Sequence, residues 1–203
     1  MSNISTVPPP VKTSTPIRKL NLGSGNYPMA GYINVDFLEN LKPDVVHNLD
    51  QFPYPFEAGA CDEVFASHVI EHVKDPFAFM AECHRLLRPG GILHLKMPHF
   101  SRGFCHPDHK RGFDVSFPLY FNPKMPPWFF GTHFDLKMMR LRWNGQPYLK
   151  RYVASAPSVF IARVMGGVID FFANLSPMIF SRLFAFWVGG FEEMEFIFVR
   201  PND

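Results

Sequence analysis

Cysteine is scarce in this chain. Only Cys61, Cys83 and Cys105 occur, none in CxxC spacing, so a disulfide framework and a cysteine-based zinc knuckle are both poorly supported and a reducing, cytoplasmic setting fits best. A long uncharged apolar run is missing as well. The most apolar stretch, 161–191, is interrupted by Arg163, Asp170 and Arg182 before about 18 uncharged residues accumulate, and Ser176-Pro177 breaks it again, which argues against a spanning helix. The opening MSNISTVPPPVKTSTP has no apolar core of a secretory signal, so residues 1–17 are expected to be a polar, proline-stiffened, disordered lead-in. Nor is there a strong charge of one sign, the formal net charge being +2. With 47% hydrophobic and 19% charged residues, the composition excludes a disordered tail, a collagen-like polymer and a coiled coil. At about 150 residues per domain, the 203 residues predict one elaborated domain from 18 to 203.

The near-neutral total hides a segregation. From Asp36 to Glu82 there are ten acidic and two basic side chains, whereas from Cys83 to Arg151 there are twelve basic and three acidic. The middle of the chain would attract an anion. Phenylalanine is equally uneven, with six before residue 99 and seventeen after it, so the second half must bury its aromatics against the first half, a partner, an apolar ligand or a bilayer surface.

Short apolar runs predict strands at 18–22, 32–36, 44–49, 62–68 and 92–97, with further strands at 134–143 and 193–200. Between the fourth and fifth lies a helix over 76–87, with Asp75-Pro76 at its start, Phe79, Met80, Cys83, Leu86 and Leu87 at helical spacing, and Pro89-Gly90-Gly91 at its end. The region 158–188 reads as two short helices around Pro177. Strands alternating with turns and helices predict a parallel α/β sheet that binds its ligand at the carboxyl ends of the strands.

Gly23-Ser24-Gly25 after the first strand lets the backbone approach a nucleotide closely. A dinucleotide fingerprint would need a third glycine where Pro28 stands, which argues against a nicotinamide enzyme. Asp36, ending the second strand, is placed to accept hydrogen bonds from both ribose hydroxyls of an adenosine cofactor; capping the following turn is the equally good alternative.

Taken in order, LNLGSGN, INVD, HNLDQFPYPF, CDEVFASHVIEHV and LLRPGGILHLKMP resemble the class I S-adenosylmethionine-dependent methyltransferases, especially the small type 11 branch, over roughly 18–98. The resemblance implies a Rossmann-like α/β fold with a mostly parallel central sheet, a shortened first crossover, and an aromatic-rich C-terminal lid closing with a late antiparallel strand. It divides the domain into a cofactor-binding half (18–98), a substrate loop with helical lid (99–190) and a C-terminal strand (191–200). S-adenosyl-L-methionine is the implied cofactor. Gly23 and Gly25, with the backbone of Asn21, Leu22 and Ser24, would follow its methionine part, Asp36 its ribose, and Phe37, Asn48 and Leu49 its adenine, while Ser67 and His68 would line the sulfonium side. Asn21 stands where the family usually has an acid, and Tyr27 where it has a third glycine.

The segment HFSRGFCHPDHKRGFDVSFPLYF, residues 99–121, follows the fifth strand and so falls beside the methyl donor. For an alcohol acceptor, His109 is the expected base, with Asp108 orienting it and His106 as the spare, and Lys110 and Arg111 would hold an anionic part of the substrate. His99 and His106 read more simply as structural or surface residues. His99, His106, Asp108 and His109 are metal-ligand types without a metal-binding spacing, so no metal is expected. These readings converge on methyl transfer to a small or lipid-linked, anionic acceptor, most plausibly at oxygen. Two other readings stay open: a non-catalytic cofactor-binding scaffold, motivated by Asn21, Tyr27 and the short crossover, and an RNA methyltransferase using Lys110, Arg111, Arg140, Arg142, Lys150 and Arg151 as a phosphate track. The absence of an Asn-Pro-Pro-Tyr motif after the fourth strand and of a Pro-Cys nucleophile disfavours base methylation of nucleic acid. The basic, aromatic second half also suits peripheral contact with an anionic membrane, although a packed lid is the simpler expectation.

Overall fold

The computed structural model describes residues 19–103, 106–150, 152 and 154–202; the lead-in, Cys105 and Arg151 lie outside the described residues. Seven strands, β1 (Lys19–Leu22), β2 (Ile33–Asp36), β3 (Val45–Val46), β4 (Cys61–Ser67), β5 (Leu87–Pro98), β6 (Asp135–Arg142) and β7 (Glu193–Val199), form one sheet in the order β3-β2-β1-β4-β5-β7-β6. The first five pair in parallel, and β7 runs antiparallel to both β5 and β6.

Alternation along the strands sorts the side chains onto two unlike faces. Leu20, Leu22, Val64, Ala66, Leu93, Leu95, Met97, Met194, Phe196 and Phe198 are fully buried on one of them. Helix α1 (Pro76–Leu86) supplies Phe79, Met80, Cys83 and Leu86 to the same core. Asp75 starts α1 by accepting hydrogen bonds from the Phe77 and Ala78 amides at 2.8 and 3.0 Å, and Pro76 occupies the first turn, where no amide hydrogen is needed. The loop after β5, which holds the short helix α2 (Phe100–Gly103) and a 3-10 turn (Phe117–Phe121), returns phenylalanines to the core: Phe121 and Phe134 lie against Phe198 at ring separations of 6.1 and 5.6 Å. Burying each such ring contributes about 1.5–3 kcal/mol.

The opposite face is polar. Glu63 is held by Lys19 Nζ at 2.9 Å and the Tyr32 hydroxyl at 2.6 Å, and Glu195 by His94 Nε2 at 2.7 Å and Arg142 at 3.5 Å. This cross-strand network occupies the side over which a crossover helix from the first half would pack. Residues 23–32, which connect β1 to β2, carry no helix, in keeping with the short interval read from the sequence.

Strand β5 begins at Leu87, earlier than the apolar run at 92 suggests, because Leu87 already pairs with Cys61. After the four-residue helix α3 (Pro147–Lys150), the region expected to form two short helices around Pro177 does break before Pro177, but its first part is a single 18-residue helix, α4 (Ala156–Ala173), and its second a mixed helical stretch, Pro177–Val188. Helix α4 lies along edge strand β6. Asn174, which caps it, pairs with both the N–H and the C=O of Leu141 at 2.9 Å, and Asp170 accepts from the Trp143 amide at 2.6 Å. These side chains occupy the open edge as another strand would.

Candidate functional site

The carboxyl ends of β1, β2, β4 and β5 converge on the site. At Gly23 the backbone adopts φ +68°, and a Cβ there would lie 2.4 Å from Val69 Cγ2, so only glycine fits. The Gly25 amide donates to Asp36 Oδ2 at 2.8 Å, while Leu38 N–H donates to Oδ1 at 2.9 Å. Asp36 therefore does cap its turn, and the same contacts tie the glycine elbow to the neighbouring strand tip. Each carboxylate oxygen retains a second lone pair for a ligand. Both tips open onto a cavity of about 480 Å³ that Gly23, Asp36, Phe37, Asn48, Leu49 and His68 help to line.

The other expected cofactor residues stand behind this surface. Asn21 is buried and donates to Asn34 Oδ1 at 2.9 Å, acting as a strut beneath the elbow. Leu22 belongs to the core, Ser24 is buried, and Ser67 pairs in register with Lys96.

His68 stands at the junction with a second cavity, of about 680 Å³, which it shares with His72. Its backbone is left-handed, at φ 56°. Its Nε2 lies 2.8 Å from Glu193 and its Nδ1 3.4 Å from Glu71. Burial works against charge on this ring, but the bond to Glu193 and the nearby Glu71 carboxylate prevail and raise its pKa to about 9. A cation flanked by two carboxylates results.

The loop after β5 differs from expectation in its pairings. Asp108 does not orient His109: its Oδ2 lies 3.2 Å from His72 Nδ1, whereas His109 donates from Nδ1 to the Gly103 carbonyl at 2.6 Å. The reason is local, since the Asp108 amide turns back onto His106 Nδ1 at 3.3 Å and leaves its carboxylate facing the neighbouring loop. Burial lowers the His109 pKa, against opposing pulls from the Gly103 bond and Glu71. His106 stacks on His109 with ring centres 4.7 Å apart. Lys110 and Arg111 are likewise not displayed to the second cavity. Lys110 Nζ donates to the His72 carbonyl and Arg111 to that of Lys74 at 2.7 Å, so both clamp the segment after β4, and Lys110 borders the first cavity. Besides His68, the second cavity draws its cations from Arg102 and Lys150, which share the Glu192 carboxylate.

Glu71, Arg102, Glu192 and Glu193 went unremarked in the sequence. Glu71 carried a signal, an acid inside the apolar run HVIEHV, where surface exposure would be unusual. Arg102 and Glu192 are brought together only by the antiparallel return of β7. His99 is structural: fully buried, it lies 2.7 Å from Ser101 Oγ and 2.8 Å from Ser181 Oγ.

A family model described as a methyltransferase domain, of type 11, matches residues 32–95, which hold β2, β3, β4, α1 and most of β5. The matched stretch, about a third of the chain, together with the fold supports a class I S-adenosylmethionine-dependent methyltransferase. S-adenosylmethionine is the cofactor of the family and, when bound, supplies an electrophilic methyl group on a sulfonium. The residues present fit it: a glycine elbow with no room for a Cβ, a carboxylate at the adjoining tip, and a cavity within the roughly 300–1,000 Å³ of small-molecule sites. Among solved structures, an S-adenosylmethionine-dependent methyltransferase from Archaeoglobus fulgidus is 18% identical with a TM-score of 0.54, covering 90% of this chain and 85% of that one. Another, from Mesorhizobium loti, is 13% identical with a TM-score of 0.53, covering 91% of each. At such identities the likeness concerns the fold. A ubiquinone biosynthesis O-methyltransferase from Caulobacter vibrioides is 53% identical over 36 residues, a match spanning 18% of this methyltransferase and 14% of the relative.

Proposed function

We propose that this methyltransferase acts at an oxygen of a small or lipid-linked acceptor bearing negative charge, at the cytoplasmic face of a membrane. The observation that carries the reading is the meeting of two cavities at His68 and His72, one bordered by Gly23 and Asp36 and the other by the histidine loop. In this reading Asp36 holds the ribose, Phe37, Asn48 and Leu49 flank the adenine, and Glu71 and Glu193 keep the junction around His68 negative overall. Arg102 and Lys150 share the single carboxylate of Glu192, which leaves a net positive charge for the anionic part of the acceptor. The imidazoles of His72 and His109 border the acceptor cavity where a hydroxyl proton has to be handled. Methyl transfer is an in-line displacement, so holding donor and acceptor in adjoining cavities supplies most of the advantage.

Lipid linkage is supported by the outer face of α4 and by the name of the Caulobacter relative, an O-methyltransferase of ubiquinone biosynthesis. The free, buried thiols of Cys61 and Cys83 suit a reducing compartment. An RNA track is disfavoured because Arg142 is paired with Asp170 and Glu195, and Lys150 with Glu192.

Isothermal titration with S-adenosylmethionine tests the donor half. Asp36→Ala should weaken binding by ~1.5–3 kcal/mol, roughly ten- to a hundredfold. Unchanged affinity in a variant that still melts cooperatively would mean that the nucleotide lies elsewhere.

A further inference from the structure

Glu71 is fully buried, and neither carboxylate oxygen has a hydrogen-bond partner among the described residues. The His68 imidazolium, with Nδ1 3.4 Å from Oε1, offsets this charge only in part because it also serves Glu193, and a buried carboxylate so incompletely compensated is costly unless a further cation joins it. The second observation lies opposite. Nε2 of His72 is 4.0 Å and Nε2 of His109 is 3.9 Å from Glu71 Oε1, and the three donor atoms all fall within 4.8 Å of one another. Both rings are turned so that these nitrogens face inward. His72 presents Nδ1 to the Asp108 carboxylate, and His109 presents Nδ1 to the Gly103 carbonyl. Each outer partner takes the ring N–H and leaves a lone pair on Nε2, the arrangement that orients and strengthens metal-ligating histidines.

We propose that Glu71, His72 and His109 bind one divalent transition cation, of the zinc, manganese or cobalt kind, on the acceptor side of the cofactor cavity. Two imidazole nitrogens and one carboxylate oxygen are the donor set such ions favour. Bonds of about 2.0–2.2 Å require the three atoms to draw together by roughly an ångström, a movement available to loop side chains. Three protein ligands leave coordination positions open to the second cavity, which His72 and His109 border. An acceptor oxygen filling one of them would lose its proton to solvent more readily. The acceptor class is thereby narrowed to hydroxyls able to coordinate a metal. That last step rests on the methyltransferase reading, whereas the cation site itself does not.

The test uses the full chain, stripped with a chelator and titrated with Zn²⁺ and separately with Mn²⁺ by calorimetry, with the melting temperature as a second readout. One cation per chain and a raised melting temperature are expected. Glu71→Gln and His109→Ala should each weaken binding roughly tenfold or more and abolish the thermal shift. Titration of the same variants with S-adenosylmethionine reports whether they remain folded around the donor cavity. Absence of stoichiometric binding by the natural chain, or equal affinity in folded variants, overturns the site. Cation binding by a chain that fails to bind S-adenosylmethionine supports the site and overturns the methyltransferase reading.

Discussion

Single residues determine where the cofactor can lie and how the fold responds to acid. Gly23 was legible as a close-approach glycine, but the reason for it, the Val69 side chain in the space of its missing Cβ, is a contact between β1 and the segment after β4. Asp36 offered two roles in the sequence, and the structure reconciles them through its bond to Gly25. His99 shows what burial does to a titratable ring: burial pushes its pKa down to about 4 from 6.5, against a weaker opposing pull from Asp114. Between those two values the unfolded chain binds a proton that the folded chain does not, so stability falls as pH drops through the window and levels off below it. The difference corresponds to about 3 kcal/mol. Urea denaturation at neutral pH and near the lower edge of the window should show this loss in the natural chain and a smaller one in His99→Gln. Equal losses would assign the acid sensitivity to other groups.

Elements were legible where their periodicity was local. Helix α1 carried its own cap, its own stripe and its own stop, and it forms within a residue of the expected limits. Strand β7 was visible as an alternating run, and its alternation places Met194, Phe196 and Phe198 on the core face. The extent of α4 was not visible, because Gly166-Gly167 and Arg163 within an apolar run obscure the single helix that β6 stabilises from outside. Its tether predicts a measurable cost. Asn174→Ala leaves the Leu141 N–H and C=O without their side-chain partner, and about 1–3 kcal/mol of stability should be lost per group that water cannot reach. Amide exchange at Leu141 should quicken in the variant more than exchange at Leu95 in the sheet centre. Uniform quickening would mean that Asn174 supports the whole fold instead of one edge.

At the scale of the molecule, the aromatic second half divides. Phe117, Phe121, Phe134, Phe196 and Phe198 complete the core, while Phe160, Phe171, Phe172, Phe186 and Trp187 stay at least half exposed. By length and composition α4 could cross a bilayer, and only 11% of it is buried, but Asp170 and Asn174 tie it to the sheet edge. A membrane surface is the partner that our proposed function gives this outward apolar face. Exposed Arg140 on neighbouring β6 adds positive charge at this end of the sheet, where Lys137 is paired with Asp135, and the acidic segment around β2 and β3 occupies the other end. Cosedimentation with vesicles containing anionic phosphatidylserine should therefore exceed that with neutral phosphatidylcholine, and should weaken with salt. Replacing Phe186 and Trp187 with serine should release the protein from both without altering S-adenosylmethionine affinity. A concentration-dependent dimer that disappears in that variant, with no vesicle binding by the natural chain, would assign the surface to a second copy instead.

The sequence by itself determined the parallel sheet and the ends of α1, because each depends on residues adjacent in the chain, a strand followed by a turn or a cap two and three residues from the amides it satisfies, while the cofactor class came from the resemblance of the ordered motifs to a known family. The tertiary structure alone decided which imidazole meets which carboxylate, that Arg102 and Lys150 share Glu192, and which phenylalanines face outward. Those outcomes depend on distances between segments as much as 125 residues apart, as with His68 and Glu193, and periodicity within a segment carries no information about the side chains that fold against it.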